Sequence, residues 1–145
     1  IKAKDIFYLG RSIDYAIAME GALKLKEISY VQTESFAAGE LKHGTIALIE
    51  KDTPVISIMT QSYLYDKMLS NIQEVKARGA KVITISNKEG VEQYSDYVIN
   101  IPKINEMLTP IIAVIPLQIL AYYTSYLKGY DVDKPRNLAK SVTVE

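Results

Sequence analysis

Three charged residues, Glu20, Lys24 and Glu27, follow one another at intervals of four and three positions in a stretch rich in apolar residues. On a helix this spacing places both carboxylates and the amine within an arc of roughly 60°. Burial raises a glutamate pKa and lowers a lysine pKa, whereas pairing does the opposite. Because these effects compete, the group can supply a general base and a proton donor near neutral pH. The positions expected on the same side are apolar: Ala16, Ile17, Leu23 and Val31. The alternative is a set of ordinary helical ion pairs, each contributing about 0.2–0.5 kcal/mol.

A single amine, Lys140, lies in the last nine residues of the chain, 137–145. Chain termini are normally frayed and polar. This one has no glycine and contains four small or apolar residues, which predicts that it docks against a surface: Leu138, Ala139, Val142 and Val144. A lysine held over a pocket can form a Schiff base with a carbonyl compound. The alternative is an ordinary solvated lysine on a surface tail.

The only histidine, His43, lies between two glycines in the segment 39–44. A histidine in such a loop can approach a ligand closely and transfer a proton at neutral pH. The alternative is an exposed loop histidine without a role. A metal site is not predicted, because the chain has one histidine, no cysteine and no paired ligand spacing. A phosphate loop is not predicted either, since only Gly10-Arg11-Ser12 comes close to one.

Composition limits the class of protein. The chain has 145 residues, of which 48% are hydrophobic and 23% charged, as in a single globular domain. Lysine plus arginine equals aspartate plus glutamate at 17 each, so the positive field that nucleic-acid binding needs is missing. The lack of cysteine excludes disulfides, thiolate metal sites and cysteine nucleophiles. We expect no signal peptide, and the missing initiator methionine suggests a piece of a longer protein.

The elements that must position these residues follow from hydrophobic periodicity. Strands are predicted at 6–9, 31–36, 54–59, 81–86 and 97–101. Helices are predicted at 13–30 with Ser12 as the cap, at 63–77 and at 110–127, and a loop is predicted at 37–44. Strands separated by helices predict an α/β domain with a mostly parallel sheet covered on both faces. The last helix is apolar enough to raise the question of a membrane span, but a core helix that also contacts a second subunit is favoured.

Three blocks of sequence carry a family resemblance: residues 20–30, 38–44 and 131–145. Together they resemble the C-terminal sugar-isomerase (SIS) half of the glutamine–fructose-6-phosphate aminotransferases, nearly from end to end. Thr45 departs from the family pattern, which often has proline there. The resemblance implies an α/β, three-layer fold with a five-stranded, parallel, flavodoxin-like sheet and helices on both faces. Residues 1–130 would form the second SIS domain of the parent, and residues 131–145 a tail that closes over the sugar site.

The resemblance also implies a reaction and its partners. The family makes glucosamine 6-phosphate and glutamate from fructose 6-phosphate and glutamine, passing ammonia through an internal channel. The expected partners are the sugar phosphate, a first SIS domain and a glutaminase domain of the same protein, and a second copy in a homodimer. A cytoplasmic enzyme without cofactor, nucleic acid or membrane is expected. Ala139 and Lys140 are expected to contact the sugar.

The resemblance assigns the catalytic roles residue by residue. Lys140 resembles the lysine that forms the Schiff base with the open-chain ketose. Glu27 resembles the base that moves a proton between C1 and C2. His43 resembles the acid/base that opens the sugar ring from the neighbouring subunit, and Lys24 and Glu20 resemble a supporting proton relay.

Two alternatives stay open at this point. The chain could be a free-standing SIS isomerase or deglycase acting on a phosphosugar, which would need a complete Ser/Thr phosphate loop. It could also be a non-catalytic SIS module that binds sugar phosphates. In the family, the phosphate clamp belongs to the first SIS half, so the isolated chain is expected to have little or no synthase activity.

Overall fold

The computed structural model describes residues 3–136. Its centre is a five-stranded sheet in the order β2-β1-β3-β4-β5, with every neighbouring pair parallel. The strands are β1 (Asp5–Gly10), β2 (Gln32–Ala37), β3 (Pro54–Met59), β4 (Lys81–Ser86) and β5 (Tyr97–Asn100). All five strands predicted from periodicity are confirmed to within one or two residues. Short apolar runs suit a parallel sheet because both of its faces are covered.

Within residues 3–136, three α-helices cover the sheet: α1 (Ile13–Ser29), α2 (Tyr65–Ala77) and α3 (Thr109–Leu127). The side chains of β1 alternate between two cores. Ile6 and Tyr8 pack with α1 and α3 on one face. Phe7 and Leu9 pack with α2 and with two short 3-10 helices, Ala38–His43 and Thr45–Leu48, on the other. The predicted three-layer α/β fold is therefore confirmed.

Two glycines allow the close contacts of α1. A Cβ at Gly10 would collide with the backbone of Asp14, so the turn from β1 into α1 requires glycine. A Cβ at Gly21 would lie 2.5 Å from Leu117 of α3, so glycine lets the two helices approach. Ser125 of α3 donates a hydrogen bond of 2.7 Å to the Ile28 carbonyl, which satisfies a backbone group at the end of α1. These contacts fix the orientation of α1 on the sheet.

Local details differ from the prediction at three places. Within the described residues, the Ser12 side chain makes no capping hydrogen bond, and its φ of 54° is left-handed. Its hydroxyl accepts from the Tyr63 hydroxyl instead, at 3.1 Å. The predicted loop at 37–44 contains a turn of 3-10 helix, because Ala38 and Leu41 are pulled into the core. The predicted helix from 63 starts at Tyr65, after a separate 3-10 turn.

The last helix is long and apolar enough, over Glu106–Leu127, to pass a length and composition test for a membrane span. One stripe of α3, through Ala113, Leu117 and Ala121, is part of the core shared with α1 and the sheet. This packing is that of the predicted core helix. The opposite stripe leaves large apolar side chains exposed, among them Ile111, Ile115, Ile119, Tyr122 and Tyr126.

Candidate active site

The helix α1 presents the three charged residues as one connected group. Lys24 Nζ lies 3.0 Å from Glu27 Oε2, to which it donates a hydrogen bond, and 3.6 Å from Glu20 Oε1. The hydrogen bond to Glu27 is the main cause that raises the pKa of Lys24 above its ordinary value, and the charge of Glu20 adds to it. Lys24 is therefore an ammonium that orients the carboxylate of Glu27. The predicted grouping of two carboxylates around one amine is present.

The apolar surroundings of this group are only partly as expected. Ile17 and Val31 are buried in the core, whereas Ala16 and Leu23 are exposed beside the charges. The side chains of Glu20, Lys24 and Glu27 are 44%, 37% and 29% exposed. Ala18, Ala22 and Ser29 of the same helix are buried. The three charged side chains thus lie, partly buried, on the outer face of α1, with the exposed apolar residues Ala16 and Leu23 beside them.

His43 lies in another part of the fold. It ends the 3-10 helix that follows β2, and that helix packs in the core on the α2 side of the sheet. Its side chain is 74% exposed, and Nε2 is 3.8 Å from Glu40 Oε2. A salt bridge of 2.7 Å between Lys42 and Glu74 of α2 holds the segment. Among the described residues, no hydrogen bond or ion pair links His43 to the group on α1.

The root of the C-terminal segment returns to the end of α1. The Arg136 backbone N–H donates a 3.0 Å hydrogen bond to the Tyr30 hydroxyl, and the Arg136 guanidinium lies 4.0 Å from the centre of the Tyr30 ring. Tyr130 packs edge-on against the same ring at 5.0 Å, and Pro135 is buried. Tyr30 is three positions after Glu27. The chain therefore enters the segment after Arg136 at the end of α1 that carries Glu27.

Ala139 and Lys140 lie outside the described residues. Their predicted roles stay predictions. Lys140 is the fourth residue after Arg136 in the sequence.

Sequence reasoning missed a polar cluster at the carboxyl ends of β1 and β3. The strand order makes this the point where the connections diverge, which is where open α/β sheets usually bind ligands. The buried carboxylate of Asp14 accepts hydrogen bonds from the Thr60 backbone N–H at 2.7 Å and from the Thr60 hydroxyl at 2.6 Å. Burial raises the pKa of Asp14, and the bonds from Thr60 and Gln61 oppose that shift. The hydrogen-bond donors of Thr60 are therefore already paired with a side chain of the same chain.

The hydrogen-bond donors of Ser62, in the same turn, are also paired with a carboxylate of the chain. Glu106 accepts hydrogen bonds from the backbone N–H of Ser62, at 2.9 Å, and from its hydroxyl. Lys88 Nζ is 2.5 Å from the Ser62 hydroxyl and 3.3 Å from Glu106. The sequence signal was Thr60-Gln61-Ser62 directly after the β3 strand, which carries the hydroxyls and backbone amides of a phosphate loop. Asp14 and Glu106 accept the hydrogen bonds of these donors in the structure.

Residues 3–136 contain no cluster of three or more potential metal ligands. Among the described residues, the candidate groups for chemistry are the carboxylate–ammonium group of α1 and the exposed imidazole of His43. The two stand on different layers of the sheet.

Fold and site together define a class. The SIS domain family matches residues 1–128, and the chain belongs to that family. This is the sugar-isomerase (SIS) family to which residues 20–30, 38–44 and 131–145 carry a resemblance.

Particular relatives narrow the resemblance. The chain is 65% identical over 144 residues to a glutamine–fructose-6-phosphate aminotransferase (isomerizing) of Clostridium acetobutylicum, covering 98% of this chain and 24% of the relative. The C-terminal domain of glucosamine-fructose-6-phosphate aminotransferase from Francisella tularensis superposes with a TM-score of 0.83 at 41% identity, over 90% of this chain and 38% of that one. These matches confirm the resemblance drawn from the three sequence blocks. The chain spans about a quarter of the length of the relatives it matches.

A more distant structure shares the fold alone. A putative tagatose-6-phosphate ketose/aldose isomerase from Clostridium novyi has a TM-score of 0.83 at 24% identity, over 99% of this chain and 39% of that one.

Proposed function

We propose that this chain is the second SIS half of an enzyme that makes glucosamine 6-phosphate from fructose 6-phosphate and glutamine-derived ammonia. The observation that carries the proposal is the Glu20–Lys24–Glu27 group on α1, at the end to which the C-terminal segment returns. The identity of 65% to an aminotransferase across nearly the whole chain supports it. The first SIS domain, the glutaminase domain and a second copy in a homodimer complete the proposed enzyme, which works in the cytoplasm.

The proposed chemistry is an internal rearrangement. The Lys140 amine adds to the C2 carbonyl of the open-chain ketose, water leaves, and ammonia then displaces the lysine. Glu27 removes a proton from C1 and a proton is returned to C2, while the C1 hydroxyl loses its proton to become the aldehyde and the imine nitrogen gains one to become the amine. C2 gains the hydrogen that C1 loses, so no external oxidant is needed. Lys24 orients Glu27 at 3.0 Å and, with Glu20, supplies the proton relay.

The proposed role of His43 is ring opening in the site of the neighbouring subunit. Its exposed imidazole stands on the α2 layer, away from the group on α1, so the two serve one site only when a second copy is present. A second copy related by a two-fold axis would receive His43 in the same way. A chain that stays strictly monomeric in the full-length protein would contradict this part of the proposal.

The turn after β3, whose hydrogen-bond donors are paired within the chain, supports a chain that supplies half of an active site over a free-standing isomerase. A free-standing enzyme needs a phosphate clamp, and the donors of Thr60 and Ser62 already bind Asp14 and Glu106. The sugar phosphate would then be held by the first SIS domain. The isolated chain is expected to convert no sugar on its own.

Borohydride trapping on the full-length protein tests the proposal. With fructose 6-phosphate present, peptide mapping should find a reduced sugar adduct on Lys140. Lys140→Ala should abolish both the adduct and sugar conversion while glutamine hydrolysis continues. Lys134→Ala, an exposed lysine at the root of the same segment, is the matched control and should retain the adduct. Full sugar conversion by the Lys140→Ala protein would refute the Schiff-base role.

A further inference from the structure

His43 has little support of its own in the described part of the chain. Its side chain is 74% exposed, and its one ionic neighbour within residues 3–136 is Glu40, at 3.8 Å and equally exposed. On its C-terminal side, Gly44 has a φ of 133°, and a Cβ added there would meet no heavy atom of the described chain within 4 Å. The position of the imidazole is therefore set from the N-terminal side, by residues 38–42.

The segment before this histidine is tied to α2 by a closed ring of polar contacts. Lys42 Nζ lies 2.7 Å from one carboxylate oxygen of Glu74, and the Asn71 amide donates to the other oxygen at 3.2 Å. The Asn71 side-chain oxygen accepts from Arg11 Nε at 3.0 Å. The Arg11 guanidinium returns to the segment, because a Cβ added to Gly39 would lie 3.1 Å from both of its terminal nitrogens. Glu74 is thus the residue at which the segment and α2 are joined.

The carboxylate of Glu74 carries its charge within this ring. Burial acts to raise the pKa of Glu74, but the hydrogen bonds from Lys42 and Asn71 outweigh it and hold the pKa below its ordinary value. Asn71 is buried and the Glu74 side chain is only 21% exposed, so the contacts differ from a solvated surface pair. Apolar packing holds the middle of the segment in the core, whereas the ion pair fixes Lys42, the residue directly before His43.

We infer that Glu74 is a positioning residue for ring opening: through Lys42 it sets where His43 stands on the α2 layer. This inference rests on the proposed function, in which His43 opens the sugar ring. Ring opening breaks the C2–O5 bond of the furanose, leaves a carbonyl at C2 and transfers one proton from the C2 hydroxyl to O5. An imidazole assists that transfer only from hydrogen-bond distance. Misplacement of about 1 Å costs on the order of 10²-fold in rate.

The test compares two substrates in the full-length protein, with each rate taken relative to the wild type on the same substrate. Fructose 6-phosphate must open its ring before it reacts. 5-Deoxyfructose 6-phosphate lacks the hydroxyl that closes the furanose ring, so it needs no acid or base to open it. A loss that acts through His43 should therefore appear with the first substrate and vanish with the second.

The variants break the ion pair from both sides. Glu74→Ala removes the carboxylate and leaves a good helix former in α2. Lys42→Ala breaks the same pair from the segment, and Lys42→Arg keeps a cation there. The matched control is Lys76→Ala, which lies on the same helix and breaks a 3.0 Å ion pair with Asp96, just before β5.

Glu74→Ala is expected to lower kcat about 10–100-fold with fructose 6-phosphate and less than about threefold with the 5-deoxy substrate. Added to His43→Gln, it should cause no further loss, because the two residues act on one step. Lys42→Ala should behave like Glu74→Ala, and Lys42→Arg should recover most of the lost rate. Lys76→Ala should match the wild type with both substrates. The backbone amides of residues 38–43 should exchange faster with solvent in Glu74→Ala than in Lys76→Ala.

Equal losses with both substrates, or a loss that multiplies with that of His43→Gln, would mean that Glu74 only stabilises the fold and would overturn the positioning role. An unchanged kcat in Glu74→Ala would overturn it as well, with the proposed function intact. A wild-type rate of His43→Gln with fructose 6-phosphate would instead overturn the role of His43 in the proposed function.

Two further comparisons keep the test decisive. If Glu74→Ala melts below the assay temperature, Lys42→Ala decides, since the Lys42 side chain is 63% exposed and its removal leaves no cavity in the core. If the wild type does not convert the 5-deoxy substrate, the double variants with His43→Gln decide between a positioning role and a purely stabilising one.

Discussion

The turn after β3 and the outer face of α1 both depend on carboxylates, but they use them in opposite ways. At the turn, Asp14 and Glu106 bind the donors of Thr60 and Ser62, so the polar groups are paired inside the chain. On α1, Glu27 and Glu20 surround Lys24 and stay partly open to solvent. The first arrangement pairs buried groups inside the fold, and the second leaves charged groups accessible to solvent.

Under the proposed function, the usual ligand position of this fold is not the working site of the chain. Open α/β sheets commonly bind ligands at the point where the strand connections diverge. In this chain that position is closed by its own side chains, and the chemistry is proposed to occur on a helix face. Such a face is incomplete alone, which fits a chain that spans about a quarter of the length of its relatives.

The largest expected effect is a loss of kcat without a matching loss of stability when Glu27 on α1 is replaced. In the full-length protein, Glu27→Gln should lower kcat for glucosamine 6-phosphate by about 10²–10⁴-fold, because it removes the base but keeps the shape. The free energy of unfolding should change by less than about 1 kcal/mol, since the pair is partly solvent-exposed. Rate assays and denaturant unfolding measure the two. A large loss of stability with little loss of rate would reverse the comparison.

Mixing two inactive variants tests whether Glu27 of one subunit and His43 of the other serve the same site. Glu27→Gln and His43→Gln proteins, unfolded and refolded together, should regain about one quarter of the wild-type activity, because half of the dimers contain one intact site of two. No recovery in a verified mixed dimer would mean that His43 and Glu27 act within the same chain.

The second effect concerns the closed turn. Asp14→Ala should lower the free energy of unfolding by about 2–4 kcal/mol, because the buried donors of Thr60 lose their acceptor. Denaturant melts of this chain measure the loss. Asp133→Ala, an exposed aspartate in the C-terminal segment, is the control and should leave the midpoint unchanged. Equal midpoints for both variants would show that the turn is not a stabilising element.

The smallest expected effect is a pH dependence of the stability that Glu106 contributes. Hydrogen bonds from Ser62, supported by Lys88, hold the pKa of Glu106 below its ordinary value. A lowered folded pKa stabilises the fold above the ordinary glutamate pKa, and that contribution disappears as the pH falls through the folded value. The side chain is partly exposed, so the screened contribution is under about 1 kcal/mol. The stability difference between wild type and Glu106→Gln should be full at pH 7 and shrink below about pH 4. A difference that stays constant from pH 7 to pH 3 would contradict the role of the charge.

Much of the fold could be predicted from local pattern. The strand Pro54–Met59 and the strand Lys81–Ser86 were predicted with their observed bounds, because short apolar runs between turn residues leave little choice of element. The cap at Ser12 was wrong, because its left-handed backbone turns the hydroxyl away from the helix. A cap prediction relies on residue type, whereas the close approach of Gly10 to α1 decides the backbone there.

Residue pattern and spacing alone predict the α/β class and the grouping of Glu20, Lys24 and Glu27, because helical periodicity is a local property. Three other features depend on the folded chain: which side of α1 faces the core, the position of His43 on the other layer, and the contact of Asp14 with Thr60, 46 positions away. Folding also brought Arg136 back to Tyr30 across 106 positions. Such pairings depend on how the sheet is ordered and on which surfaces pack, and spacing along the chain carries neither.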